Sequence, residues 1–260
     1  MPSHKEQNAA VLDQFTRQAE SYAALVRGTA GGKSPGDVVA LSGASAQDEV
    51  LDVACGTGAL TLDLARIARR VTGIDLTPAM LDQARALQAE RGVTNAQWVE
   101  GDALPLPFPD AAFSLVVTRA SFHHMHDPAA VLAQMRRVVA PGGRVVVSDL
   151  TPAPDLGRAF DAIETLRDPS HVHAHTVEEL RAIGRAAGLQ ELLVESFSAE
   201  LPLEAVLATS FPGPGALDEV RRRAAADADE GVDRLGLAIR RVEGKLLMTY
   251  PMTTVVWAAP

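Results

Sequence analysis

The chain has 260 residues, 47% of them hydrophobic, and its 33 acidic residues against 24 basic ones give a formal charge of −9. That length fits one α/β domain with additions. The acidic balance disfavours attraction to a phosphate backbone, so no nucleic-acid partner is expected.

No apolar run approaches the roughly 20 residues that a membrane span needs. The lone Cys55 has no internal disulfide partner, and the start MPSHKEQNAA lacks a secretory pattern; a cytoplasmic setting is expected. The basic clusters Arg69-Arg70, Arg136-Arg137 and Arg221-Arg222-Arg223 are short, sit in or beside expected helices and read as solvated faces.

In chain order, residues 8–26 place Val11, Phe15, Ala19, Tyr22 and Val26 three or four apart, on one helix face. Gly28, Gly31, Gly32 and Ser34-Pro35 should break that helix before a short helical piece through Val38, Val39 and Leu41. Residues 1–45 are thus expected to form an N-terminal helical lid. Apolar runs then predict strands over 50–54, 71–74, 96–100, 113–118 and 144–148, and helical spacing predicts helices over 60–68, 78–90 and 128–139. Such alternation implies a mostly parallel sheet covered on both faces. A helix over 156–166 follows, then a second one capped by Thr176-Val177-Glu178-Glu179 and ended by Gly188. A strand over 189–197, a helix-prone stretch over 201–240 and a last strand over 253–257 complete the chain. The reading is a doubly wound, mostly parallel, seven-stranded α/β sheet, with its core over 46–200 and a helical cap plus final core strand over 201–260.

The chemistry concentrates in Val50-Leu51-Asp52-Val53-Ala54-Cys55-Gly56-Thr57-Gly58, a strand running into a glycine turn and a helix start. Gly56 and Gly58 let backbone approach a ligand, and the helix start offers free N–H groups. Asp75 ends the second strand, where its carboxylate can accept from both hydroxyls of a ribose, and Glu100-Gly101-Asp102 places another acid one strand further out, within reach of an adenine amino group. A single acid of this kind serves equally well as a helix N-cap; the joint spacing points to a nucleotide-like ligand. A nicotinamide-binding protein also places an acid at the second strand, but its fingerprint wants a third glycine where Thr61 stands.

These runs, with Asp75-Leu76-Thr77-Pro78-Ala79-Met80, Gly101-Asp102-Ala103 and Pro141-Gly142-Gly143, resemble the class I S-adenosylmethionine-dependent methyltransferases. The likeness is to the small-molecule branch that includes the ubiquinone and menaquinone biosynthesis enzymes, and Ala54 departs from it where many members carry glycine. The resemblance implies a Rossmann-like fold, S-adenosyl-L-methionine as cofactor with S-adenosyl-L-homocysteine as product, and a small-molecule acceptor such as a phenol, quinone precursor or secondary metabolite, methylated on O, C or N. Position by position, it implies that Asp52, Ala54, Gly56, Thr57 and Gly58 hold the methionine portion and Asp75 the ribose. Leu76 and Met80 would cover the adenine faces, and Gly101, Asp102 and Ala103 its edge. The segment Arg119-Ala120-Ser121-Phe122-His123 would border the sulfur, and Tyr22 would close over the cofactor from the lid. A cofactor-binding protein without transferase activity is the alternative from another class, and a homodimer through the late helices is a possible assembly.

Six of the seven histidines fall in two clusters, His123, His124 and His126, and His171, His173 and His175. Imidazole titrates in the range a general base needs, so His123 and His124, with His171 behind them, are the catalytic candidates. Structural packing is the plain alternative for each. Alternation in the second cluster suits zinc, but no cysteine or paired acid completes a familiar spacing, and no metal is expected.

Overall fold

The computed structural model describes residues 3–29 and 37–260, with no side-chain description over 26–29. Helices α1 (His4–Thr29) and α2 (Val38–Leu41) lead into β1 (Glu49–Val53), α3 (Ala59–Ala65), β2 (Arg70–Asp75), α4 (Pro78–Arg91), β3 (Ala96–Glu100), β4 (Phe113–Arg119), α5 (Pro128–Val138) and β5 (Val139–Leu150). Then come α6 (Gly157–Arg167), α7 (Val177–Ala186), β6 (Gln190–Pro202), α8 (Leu203–Leu207), α9 (Ala216–Glu230), β7 (Arg240–Val242) and β8 (Lys245–Ala258).

Local chemistry places the boundaries. Pro128 opens α5 behind Asp127, whose carboxylate accepts from Ala130 N, and Thr176 with Glu179 closes a reciprocal capping box on α7. Gly92, at φ +63°, ends α4 in the left-handed conformation.

The sheet order is β3-β2-β1-β4-β5-β8-β6, with β7 added on β8. β3, β2, β1, β4 and β5 are mutually parallel, and β8 runs antiparallel to both β5 and β6. Strand direction of progress reverses between β1 and β4, so a crevice at their carboxyl ends is the natural binding place of such a sheet. Alternation along β1 sends Leu51 and Val53 into one apolar cluster, with Leu132 and Trp257, and Val50 into the other, with Leu64 and Val146. The core is therefore continuous on both faces.

Trp257 seats against Gly184 of α7, where an added Cβ would come within 2.5 Å of the indole nitrogen. Gly184→Ala is expected to destabilise the fold by about 1–3 kcal/mol, measured by urea unfolding.

The sheet has one strand more than the sequence suggests. β7 and β8 form a hairpin through Glu243 and Gly244, both at positive φ, a two-residue turn whose twist suits adjoining strands. The stretch over 201–240 is accordingly helical only in α8 and α9.

α1 also departs from expectation. It continues through Gly28 to Thr29, and the expected breakers Gly31, Gly32 and Ser34-Pro35 lie outside the described residues, as does the Val26 side chain. Of the expected face, Ala19 is buried while Val11, Phe15 and Tyr22 are half-buried. The other residues that α1 buries, among its described side chains, are Gln7, Gln14, Gln18 and Ala23. Polar loops lie beneath it, and the glutamines meet them.

Candidate active site

At the carboxyl end of β1, Asp52 is 1% exposed and accepts a 2.6 Å hydrogen bond from Thr61 Oγ1 on α3. Burial, with help from the nearby Asp75 charge, pushes the Asp52 carboxyl up to about 7. Asp75, next door on β2, accepts from Gly56 N and Thr77 N, each at 2.8 Å. It thereby ties the glycine turn to the second strand. Burial raises its pKa, and those two backbone bonds oppose the shift.

The turn is made of left-handed residues, Ala54 at φ +55°, Gly56 at +53° and Gly58 at +76°. Nothing lies within 4 Å of where a Gly56 Cβ would stand, so its outer side is open; a Gly58 Cβ would strike the Trp98 ring at 2.4 Å. Only glycine fits at 58. Thr57 is buried, and Gly58 starts α3 without a side-chain cap, leaving first-turn N–H groups for a ligand. Cys55 is buried beneath the turn. Burial and then the Asp75 and Asp52 charges hold its thiol well above the ordinary range, which removes it as a nucleophile.

Leu76 is half-buried at the crevice rim, while Met80 is 1% exposed and belongs to the core. Gly101 follows β3 and donates its N–H to the Asp75 carbonyl, which sets Asp102 beside the same crevice. Asp102 accepts from Leu104 N with one oxygen and from Asn8 Nδ2 and His4 Nε2 of α1 with the other, at 2.6 and 2.8 Å. Ala103 packs half-buried against the core. Arg119 is exposed at the end of β4, and its positive charge bears on both Asp52 and Tyr22. Burial raises the Tyr22 phenol pKa, so it stays protonated.

The loop after β4 is anchored to the turn by Thr118, which donates to the Val53 carbonyl at 2.7 Å. This loop carries His123, whose Nδ1 donates to Asp149 Oδ1 at 2.5 Å. Both groups are almost fully buried. Asp149 also accepts from Ser121 N, Phe122 N and Leu150 N. Burial opposes charge on each, but the imidazolium–carboxylate attraction prevails, so His123 titrates above its ordinary value and Asp149 below. Asp149 follows the apolar run Val145-Val146-Val147 near the end of β5, the same local signal that marks Asp75 at the end of β2.

The rings of His123, His124 and His171 cluster, at 4.2 Å between the first two and 5.6 Å from His123 to His171. Their roles in hydrogen bonding differ. His124 donates from Nδ1 to the Ser170 carbonyl and meets Phe15 of α1 edge-on; burial, with the neighbouring His123 charge, holds it well below its ordinary pKa. His171 donates from Nε2, and His173 from Nδ1, to the two oxygens of Asp161. His175 approaches Phe122, and His126 lies towards His4.

α1 closes this region. Gln7 Nε2 donates to the carbonyls of His124 and Ser170, and Gln14 Nε2 to that of Phe211. Behind them Arg167 joins Glu164 and Ser210, and Tyr250 donates to Glu164. Among the described residues, four buried side-chain atoms lack a hydrogen-bond partner: Gln14 Oε1, Gln18 Nε2, Thr77 Oγ1 and His171 Nδ1. Thr77 precedes α4 beside Asp75, Gln14 and Gln18 lie on α1, and His171 follows Ser170, whose carbonyl α1 bonds through Gln7.

Comparison with known proteins places the chain among relatives. A family model described as a methyltransferase domain matches residues 50–143. The chain is 30% identical over 171 residues to the methyltransferase YcgJ of Bacillus subtilis, covering 65% of this chain and 67% of that protein. It is 31% identical over 209 residues to the malonyl-[acyl-carrier protein] O-methyltransferase of Serratia marcescens, covering 80% and 78%. A demethylmenaquinone methyltransferase of Thermus thermophilus is 42% identical over 111 residues, 42% of this chain and 50% of that one. The crystal structure of YcgJ superposes with a TM-score of 0.77 at 22% identity, over 86% of this chain and 96% of that chain, and so shares the fold. Among the described residues, no helix is long and apolar enough to cross a membrane.

Proposed function

The chain belongs to the class I S-adenosylmethionine-dependent methyltransferases, and from that premise we propose that it methylates an oxygen of a small organic acceptor, with His123 as general base. The observation that carries this reading is the delivery of Asp52, Asp75 and Asp102 by three adjacent strand ends to one open glycine turn, beside a buried His123–Asp149 pair.

Asp75 is placed to receive the ribose hydroxyls, Asp102 the adenine amino group, and the uncapped start of α3 with Asp52 the amino-acid end of the cofactor. These residues fit the group. Open space over Gly56, the unpartnered Thr77 hydroxyl and the strand-end acids supply shape and polar contacts. When bound, S-adenosylmethionine supplies an electrophilic methyl group and leaves as S-adenosylhomocysteine. Met80, buried in the core, supports the pocket wall rather than an open face.

His123 holds its Nδ1 proton on Asp149, which fixes the tautomer with Nε2 free to take the acceptor's O–H proton. Asp149 is a positioning residue. Because the donor is already activated, much of the rate comes from alignment of acceptor and methyl group, and α1 provides the water-excluding cover. His124 and His171, engaged with Ser170 and Asp161, line the chamber.

The test is transfer of radiolabelled methyl from S-adenosylmethionine to a panel of phenols and other hydroxylated small molecules. Turnover of hydroxyl compounds at a rate that falls on acidification supports the reading. Turnover confined to amines, or a rate indifferent to His123→Ala, rejects the base.

A further inference from the structure

The buried face of α1 is unusual for a helix that covers a chamber. Gln7, Gln14 and Gln18 are 5%, 4% and 3% exposed, and the other buried residues among the described side chains of α1 are the small Ala19 and Ala23. Gln7 spends both amide hydrogens on loop carbonyls. Gln14 spends one on Phe211, leaving Oε1 unpartnered, and Gln18 Nε2 has no partner at all. A buried amide without partners is costly, so a protein keeps it where a ligand supplies the missing bonds.

Helical spacing sets where these atoms face. Gln14, Gln18 and Tyr22 stand four residues apart on one face. Gln14 reaches Phe211, beside Ser210, which holds Arg167; Tyr22 lies in the field of Arg119, Arg167 and Asp149. Gln18 stands between them on the helix, one turn before Tyr22. Two opposite pairs stand there, His123 with Asp149 and Arg167 with Glu164, and Arg119 adds an exposed positive charge near Tyr22. A charged acceptor would find no free counter-ion in either pair. Phe15 and Tyr22 of α1 and Phe211, which α1 bonds through Gln14, are half-buried rings, which suits a flat ligand.

We propose that Gln18 and Gln14 are the specificity-determining residues for the acceptor, a hydroxyaryl carbonyl compound: Gln18 Nε2 donates to its carbonyl oxygen while the methylated hydroxyl faces His123, and Gln14 Oε1 accepts from a second hydroxyl or N–H where the acceptor carries one. This rests on the reading of the chamber as the acceptor site.

The experiment uses the full chain and two probe pairs that differ only by a carbonyl, 4-hydroxyacetophenone against 4-ethylphenol and 2-acetyl-1-naphthol against 2-ethyl-1-naphthol. Wild type is expected to favour the ketone of each pair by about 100-fold in kcat/KM, since an unpaired buried donor penalises the analogue. Gln18→Leu and Gln18→Glu are expected to bring that ratio to about 1, by raising KM for the ketone and lowering it for the alkyl analogue about tenfold each, with kcat and the pH profile retained. A structural glutamine would lower both members alike. Ligand-free Gln18→Leu is also expected to melt at or above the wild-type temperature, because an unsatisfied buried amide is removed.

A ratio near 1 in wild type, turnover of neither phenol pair, or a lower melting temperature for ligand-free Gln18→Leu overturns the proposal. S-adenosylmethionine binding, followed by calorimetry in the same proteins, separates the two levels. Its absence from wild type would instead reject the cofactor site.

Discussion

His123→Ala lowers kcat by about two to four orders of magnitude, the range ordinarily lost with a general base, while S-adenosylmethionine still binds. The expectation follows from the geometry of one nitrogen. Nδ1 is held by Asp149 of β5, so the proton-accepting role falls to Nε2, and His123 sits on the loop after β4, whose Ser121 bonds Thr118, itself bonded to the carbonyl that ends β1. The pH dependence carries the same signature. Burial alone would lower the His123 pKa, but the Asp149 carboxylate raises it above the ordinary 6.5. A base must be neutral to act, so kcat/KM falls as pH drops through that raised value. Asp149→Asn removes the charge that raises it, and the acid limb moves to lower pH with a reduced plateau. An acid limb unmoved in Asp149→Asn would show that another group sets the profile.

Asp75→Ala weakens S-adenosylmethionine binding by about 100-fold or more, read by titration calorimetry. Two ribose hydroxyls donating to one charged carboxylate are worth about 1.5–3 kcal/mol each, and a tenfold change in affinity corresponds to about 1.4 kcal/mol. The same carboxylate accepts from Gly56 N and Thr77 N, so its removal also frees the glycine turn. Asp52→Asn is a milder change. The Asp52 carboxyl titrates near 7, so part of the population is already uncharged at neutral pH, and the amide retains an acceptor for Thr61. A Kd for Asp75→Ala equal to that of wild type would detach this residue from the cofactor.

What could be read from the sequence was what local spacing encodes. The runs around Val50, Val71, Phe113 and Val145 are short and apolar between turn residues, and each is a strand in the sheet. The acids that close β1 and β2 were legible for the same reason, since strand ends and glycine turns are neighbours in the chain. Asp102 was placed correctly beside β3, but its bonds to His4 and Asn8 bridge more than ninety positions and leave no local trace. The partnership of His123 with Asp149 spans 26 residues across two strand ends, and spacing alone does not pair them.

α1 misled for a different reason. Val11, Phe15 and Tyr22 have the right period for a buried stripe, yet they are only half-buried, while Gln7, Gln14 and Gln18, on an overlapping arc, become buried together with Ala19 and Ala23. Periodicity reports which residues share a face, and the chemistry of the surface opposite decides which face turns inward. Here that surface presents the carbonyls of His124, Ser170 and Phe211, which only hydrogen-bonding side chains can satisfy. The β7–β8 hairpin was missed because its turn, Glu243-Gly244, is two residues long inside a stretch whose composition favours helix.

A crystal structure of the chain with S-adenosylhomocysteine puts the central claim to its most direct trial. The ribose hydroxyls should lie on Asp75, the adenine amino group by Asp102 and the amino-acid end between Asp52 and the start of α3, with the sulfur facing the loop that carries His123. Density for the ligand elsewhere, or a ribose turned away from Asp75, would contradict the account.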